Sequence, residues 1–259
     1  MEVKKEGSFI RNSKTMFIRS LKLSFRNPGV LALALLAPAS MLGVFVYVFG
    51  GALDVGDYSV VNFIVPGVIL LSIAQSAPII SVRLNDDMNK GVIDRFRAMP
   101  IAKSSILVGH VTATVLQGII TVAITFVVAL LVGFRPQATF VQWFMISGLM
   151  ILYIIMTVWL ATLSGVLAKT AESSSGIMTL IGVLPFLSSG FVPTDTMPNS
   201  LRIFAENQPM TPIIDSVRAL LLNQPLADGT LRMALFWCIG LAIVFYVLAV
   251  KTYKRRTAK

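Results

Sequence analysis

Cysteine and histidine each occur once in this chain of 259 residues, as Cys238 and His110, and only 13% of the residues are charged. A single cysteine excludes an intrachain disulfide framework and, with a single histidine, any Cys/His metal cluster. No GxxxxGK phosphate loop, no HExxH and no Ser/His/Asp set at useful spacing occurs. The chain is therefore expected to hold no cofactor or metal, to hydrolyse no nucleotide itself and not to be an enzyme. Carboxylates are scarce, 12 against 22 basic residues, and the long apolar runs contain none. A carrier driven by an ion gradient generally needs an ionisable group inside the membrane, so the energy for any transport is expected from elsewhere. His110 is the exception to weigh, either as an interfacial anchor or as a proton relay.

What is abundant is apolar surface: 56% of the residues are hydrophobic and the mean hydropathy is +0.81, beyond the roughly 45–50% of soluble domains. Residues 27–53, 58–82, 104–134, 136–168, 173–194 and 233–250 contain no Lys, Arg, Asp or Glu, and a helix of about 20 such residues crosses about 30 Å of hydrocarbon. The expected fold is an all-α polytopic membrane protein forming one domain over 1–259, with six spans at about 29–50, 60–83, 104–132, 140–168, 174–192 and 231–251. The basic segment before the first run, and the length of that run, argue for a retained span over a cleaved signal. Cys238 lies in the last run and reads as a small buried residue. Pro38, Pro66, Pro78 and Pro185 lie inside runs, where membrane helices tolerate them as kinks.

The net charge of +10 is distributed by side. Seven bases precede the first run, five lie between the second and third, Lys169 lies between the fourth and fifth, and five close the chain. Only Arg135, Arg202, Arg218 and Arg232 fall on the other side. The positive-inside bias then puts both termini in the cytoplasm, as an even number of spans requires, and the charge does not call for nucleic acid.

Three polar segments have their own pattern. Over 8–27, Phe9, Ile10, Met16, Phe17, Leu21 and Phe25 share one arc at ~100° per residue and Arg11, Arg19, Lys22 and Arg26 the opposite arc, which reads as an interfacial helix on anionic lipid. Between 193 and 228 the prolines and two apolar patches suggest short helices on the outer side, capping or re-entrant, one starting near Thr211-Pro212 with Ile213, Ile214, Val217, Leu220 and Leu221 on one face. Over 86–100, Gly91 interrupts and Pro100 terminates, leaving a helix of about two turns with Ile93 and Phe96 three apart among Asp94, Arg95 and Arg97. That pattern fits a docking knob with an apolar centre and charged rim, and equally an amphipathic loop resting on lipid.

The stretches KGVIDRFRAMPIAKSSILVGH at 90–110, TAESS at 170–174 and FVPTDTMPNSLRIFAENQPMTPIIDSVRALL at 191–221 resemble the membrane subunit of ABC type-2 exporters, most closely the permeases of the daunorubicin-resistance type. The resemblance implies that 86–100 is a coupling helix seated in a cleft of a separate cytoplasmic ATPase, with Gly91, Asp94, Arg95, Arg97 and Pro100 at matching positions. Asp87 and Val92 stand where the wider family often has Glu and Thr. With Ile93 and Phe96, these residues other than Val92 are the candidate coupling site. The resemblance also implies two ATPase subunits that bind ATP and magnesium, a second permease, identical or related, and outer helices that close the exit. The implied function is export of an amphiphilic or hydrophobic molecule (a drug, antibiotic or lipid-like compound) across the cytoplasmic membrane. A lipid-linked glycan or peptide as cargo, or an assembly or immunity role without transport, are the alternatives. Asn62 and Gln75, polar in an apolar run, and Phe186 and Phe191 are the candidate pathway residues. Helix-to-helix hydrogen bonding is the plainer reading of the first two, and lipid contact or helix packing of the last two.

Overall fold

A computed structural model describes residues 28–51, 58–90 and 103–257, with side chains over 36–51, 58–90 and 111–256. The expected helix at 8–27 and the coupling residues from Gly91 to Pro100 lie outside them. In chain order come α1 (Pro28–Gly43), a π-helical turn (Val44–Val48), α2 (Val60–Asn89), α3 (Lys103–Val132), α4 (Phe140–Leu167), α5 (Ala171–Ile181), 3₁₀ turns at Leu184–Leu187 and Thr194–Thr196, α6 (Asn199–Asn207), α7 (Met210–Leu221) and α8 (Thr230–Thr257).

Four helices among the described residues are long and apolar enough to cross a membrane: Val60–Asn89, Val111–Val132, Phe140–Leu167 and Thr230–Arg256. The expectation of six spans is thereby corrected to four. The other two uncharged runs do not keep one long helix. In the run expected at 29–50, α1 contains Pro38 and gives way at Gly43 to the π-helical turn, and among the residues described with side chains its apolar helix runs Leu36–Val48. In the run expected at 174–192, α5 stops at Ile181 and a 3₁₀ turn with Pro185 near its start follows. The proline ring crowds the carbonyl four residues back, that of Ile181, and removes a donor, which favours the break here, although α2 continues through Pro66 and Pro78. Absence of charge makes a segment compatible with hydrocarbon but does not make it one helix.

α2 is the axis of the fold and packs against α1, α3, α4, α5 and α7. Its start is capped by Ser59, whose hydroxyl accepts from the Asn62 amide at 3.3 Å, and most of its length is buried. α4 begins with a capping box between Thr139 and Gln142, which satisfies two orphan donors of the first turn. The core between α2, α4 and α7 contains Ile64, Leu70, Ile73, Leu149, Tyr153, Ile154, Ile213, Ile214 and Val217. α7 ends in a left-handed residue, Asn223 (φ 53°). The Gln224 amide donates to Ala219 O at 2.8 Å and the Asn223 amide to Leu220 O at 3.4 Å, a Schellman stop that satisfies two carbonyls of the last turn.

Two ends can be told apart. At the Asn89 end of α2 stand Lys169, which follows α4, and the basic last turn of α8 with Lys254, Arg255 and Arg256. At the Val60 end, Tyr58 donates to Gln224 Oε1 at 2.5 Å and Gln142 donates to Asn223 Oδ1 at 2.9 Å. The chain from Lys169 to Gly190 runs from the first end towards the second in two helical pieces, and at Gly190 it meets Gly67 backbone to backbone: a Cβ on Gly67 would lie 2.6 Å from Gly190 O.

Candidate functional site

The middle of α2 has a face on which polar residues stand among apolar ones. Ser72, Gln75, Ser76 and Ile79 stand at i, i+3, i+4 and i+7 and share one face. With Gln117 and Thr121 of α3, and Ala37, Pro38 and Met41 of α1, they line a cavity of about 300 Å³ together with Val68 and Leu71. Hydroxyls in such a site compete for backbone carbonyls, and here they find them on their own helices. Ser72 Oγ donates to Ile69 O and Ser76 Oγ to Ile73 O, both at 2.7 Å, and Thr121 Oγ1 donates to Gln117 O at 3.0 Å. Thr125 Oγ1 lies 3.1 Å from Ser72 Oγ and joins the two helices. The Gln75 amide is exposed and has no hydrogen-bond partner among the described residues. No charged residue is among the described residues that line the cavity. An apolar wall with a few neutral polar groups is the usual make-up of a small-molecule site.

A second polar centre lies towards the Val60 end and is made by α7. The Arg218 side chain is 8% exposed and pairs with Asp215 Oδ1 at 2.7 Å. It donates to Phe63 O at 3.2 Å and Ser189 O at 2.5 Å, and its guanidinium lies 4.0 Å from the centre of the Phe63 ring. Ser189 Oγ also donates to Asp215 Oδ1, at 2.6 Å. Burial pulls the Arg218 guanidinium below its ordinary pKa, and the charge of Asp215 opposes that shift. Gln208, between α6 and α7, donates to Leu184 O at 3.3 Å and Leu187 O at 2.5 Å. These bonds fasten the α6–α7 unit to α2 and to the chain after α5. Three of the five guanidinium N–H groups of Arg218 are engaged in this way, and the buried side chain acts as a fastening between elements.

The candidate residues do not form one site. Gln75 lines the cavity, whereas Asn62 is half-buried and about 20 Å nearer the start of α2 at 1.5 Å per residue. Phe186 and Phe191 are together, stacked at 5.1 Å, but in a separate aromatic group in which Phe45 lies 4.9 Å from Phe191. Asp87 lies half-buried in the last turn of α2. Beside it Lys90 Nζ pairs with Asp86 Oδ2 at 2.9 Å, a hydrogen bond that raises the lysine pKa. Gly91, Ile93, Asp94, Arg95, Phe96, Arg97 and Pro100 lie outside the described residues, as does the side chain of His110. Sequence reasoning missed Ser72, Ser76, Gln117 and Thr121. Their helical spacing around Gln75, and the i, i+4 pair on α3, were the available signal.

Residues 11–222 match the family described as ABC-2 type transporter. The chain is 30% identical to the daunorubicin resistance ABC transporter permease protein DrrB1 of Streptomyces coeruleorubidus, over 86% of this chain and 79% of that protein. It is 24% identical to the probable doxorubicin resistance ABC transporter permease protein DrrC of Mycobacterium tuberculosis, over 78% of this chain and 71% of that protein.

Proposed function

From a chain that belongs to the ABC-2 type transporter family, as a permease related to the daunorubicin- and doxorubicin-resistance proteins, we propose export of an amphiphilic or hydrophobic molecule through the cavity between α1, α2 and α3. The protein is a multi-pass α-helical transport subunit and not an enzyme. ATP and magnesium belong to separate ATPase subunits that dock on residues 86–100, with Ile93 and Phe96 at the centre of the contact and Asp87, Gly91, Asp94, Arg95, Arg97 and Pro100 around it. Two ATPases and two permeases make the working complex. ATP binding by the partners shifts the permease between two packings, because only a difference in interaction between two states moves an equilibrium.

The observation that carries this reading is the cavity of about 300 Å³, lined among the described residues by no charged group and by the Gln75 amide, which has no hydrogen-bond partner among them. Its walls suit a molecule that is mostly apolar with a few neutral polar groups, and the relatives' names make daunorubicin the first compound to try. The Asn89 end of α2, with Lys90, Lys169 and the basic end of α8, is the cytoplasmic face under the positive-inside bias. Co-expression with an ATPase encoded in the neighbouring reading frame tests the docking. The wild-type chain is expected to retain that ATPase through purification and to confer export, and the double variant Arg95→Ala, Phe96→Ala to lose both. Export that survives the double variant unchanged rejects the proposal.

A further inference from the structure

The end of α2 that leads into residues 91–100 is joined to the α4–α5 elbow by buried polar groups outside the cavity. Asn85 is fully buried. Its amide nitrogen donates to Gly165 O at 3.0 Å and Ala168 O at 2.8 Å, carbonyls that the last turn of α4 leaves without helical partners. Its oxygen accepts from Asn89 Nδ2 at 2.9 Å, and the same nitrogen of Asn89 donates to Lys169 O at 3.1 Å. One turn earlier the Ser81 and Ser174 hydroxyls are hydrogen-bonded, and Ser164 Oγ donates to Ser174 O at 3.1 Å. The backbones also meet there, since a Cβ on Gly165 would stand 2.7 Å from Ser81 O. From α8, Arg256 Nη1 donates to Ala168 O at 3.0 Å. Apolar packing is non-directional and lets helices slide. An amide that gives both hydrogens to the end of a neighbouring helix fixes both the height and the rotation of that end.

We infer that Asn85 is a positioning residue for energy coupling: it makes the last turns of α2 and the elbow at 165–174 one rigid unit, so that a displacement applied beyond Asn89 reaches α2 and α5 together. The inference rests on the reading of ATP-driven export given above. Without the amide, α2 moves past the elbow, and the partner continues to hydrolyse ATP while the cavity fails to respond.

The test uses the full complex in lipid vesicles. Its readout is the ATP-dependent change in maleimide labelling of a cysteine placed at Gln75, measured beside ATP hydrolysis, so that no substrate need be known. In Asn85→Ala the labelling response per ATP hydrolysed is expected to fall about tenfold, within the usual range of coupling free energies. Hydrolysis itself should persist. A disulfide between Ser81→Cys and Ser174→Cys, formed by mild oxidation, is expected to restore the response in Asn85→Ala and to lose that effect on reduction. A response in Asn85→Ala equal to wild type, or a loss that the cross-link leaves uncorrected, overturns the inference. Independently of Asn85→Ala, the same cross-link in an otherwise unchanged chain should leave the response intact; if it abolishes the response, α2 and the elbow move apart in the cycle and the rigid unit is wrong. If the wild-type complex shows no ATP-dependent labelling at all, the reading of ATP-driven export fails first and this inference with it.

Discussion

Asp215 and Arg218 form an ion pair whose members have unequal alternatives. Asp215 is 37% exposed and recovers water when its partner is removed, whereas Arg218, 8% exposed, cannot. Stranding a buried cation costs about 3–5 kcal/mol and orphaning one carbonyl about 1–3 kcal/mol; Phe63 O lies inside α2 and keeps its helical partner, so the carbonyl loss falls on Ser189 O alone. Asp215→Ala is therefore expected to lower stability at least as much as Arg218→Met, as read by thermal unfolding in detergent; the opposite order would show that the guanidinium has water after all. Gln75 predicts the reverse behaviour. Being exposed and without a partner among the described residues, it should tolerate Gln75→Leu within about 0.5 kcal/mol of stability. Under the proposed export through this cavity, with the amide giving cargo one neutral hydrogen bond, its loss should raise the concentration of substrate for half-maximal stimulation of the complex's ATPase about fivefold. Asn62→Leu, remote from the cavity, should leave that concentration unchanged.

At the scale of elements, close backbone approach governs where side chains are allowed. Gly67 meets Gly190 through backbone atoms, which have no rotamer to escape by, so Gly67→Ala must push the chain after α5 away from α2. A loss of about 1–3 kcal/mol is expected from such overpacking. Gly148→Ala, with no atom within 4 Å of the added methyl, is the matched control and should show no loss; thermal unfolding of the pair decides. The face of α7 was legible in the sequence, because Ile213, Ile214, Val217, Leu220 and Leu221 follow the helical period, and all five are buried. Helix continuity was not legible from charge alone, which is why the runs at 29–50 and 174–192 were read as spans. Gln75 stood out as one amide in an apolar run, while its hydroxyl neighbours were too ordinary to notice without the cavity that gathers them. The Arg218 centre was beyond reach, since its partners Phe63 and Ser189 are distant in sequence and nothing local marks them.

For the whole molecule the polarity of the two ends makes a direct prediction. Asp228 and Arg255 are both exposed, at opposite ends of α8. With cysteine placed singly at each, a membrane-impermeant maleimide applied to intact cells should label position 228 and reach position 255 only after permeabilisation. Cys238 is fully buried and should not contribute. The reverse labelling would invert the assignment of the cytoplasmic face and detach residues 86–100 from any cytosolic ATPase.

The interruption of the chain after α5 limits what that part of the molecule can carry mechanically. A continuous helix delivers twist from one end to the other; a helix that stops at Ile181 and resumes as a 3₁₀ turn behind Pro185 behaves as two links joined by a swivel. Rotation imposed at Thr170 dies out before Phe186 and Phe191, and only push and pull along the axis pass through. Torque between the two faces of the protein is left to the four long helices α2, α3, α4 and α8, which run without a stop.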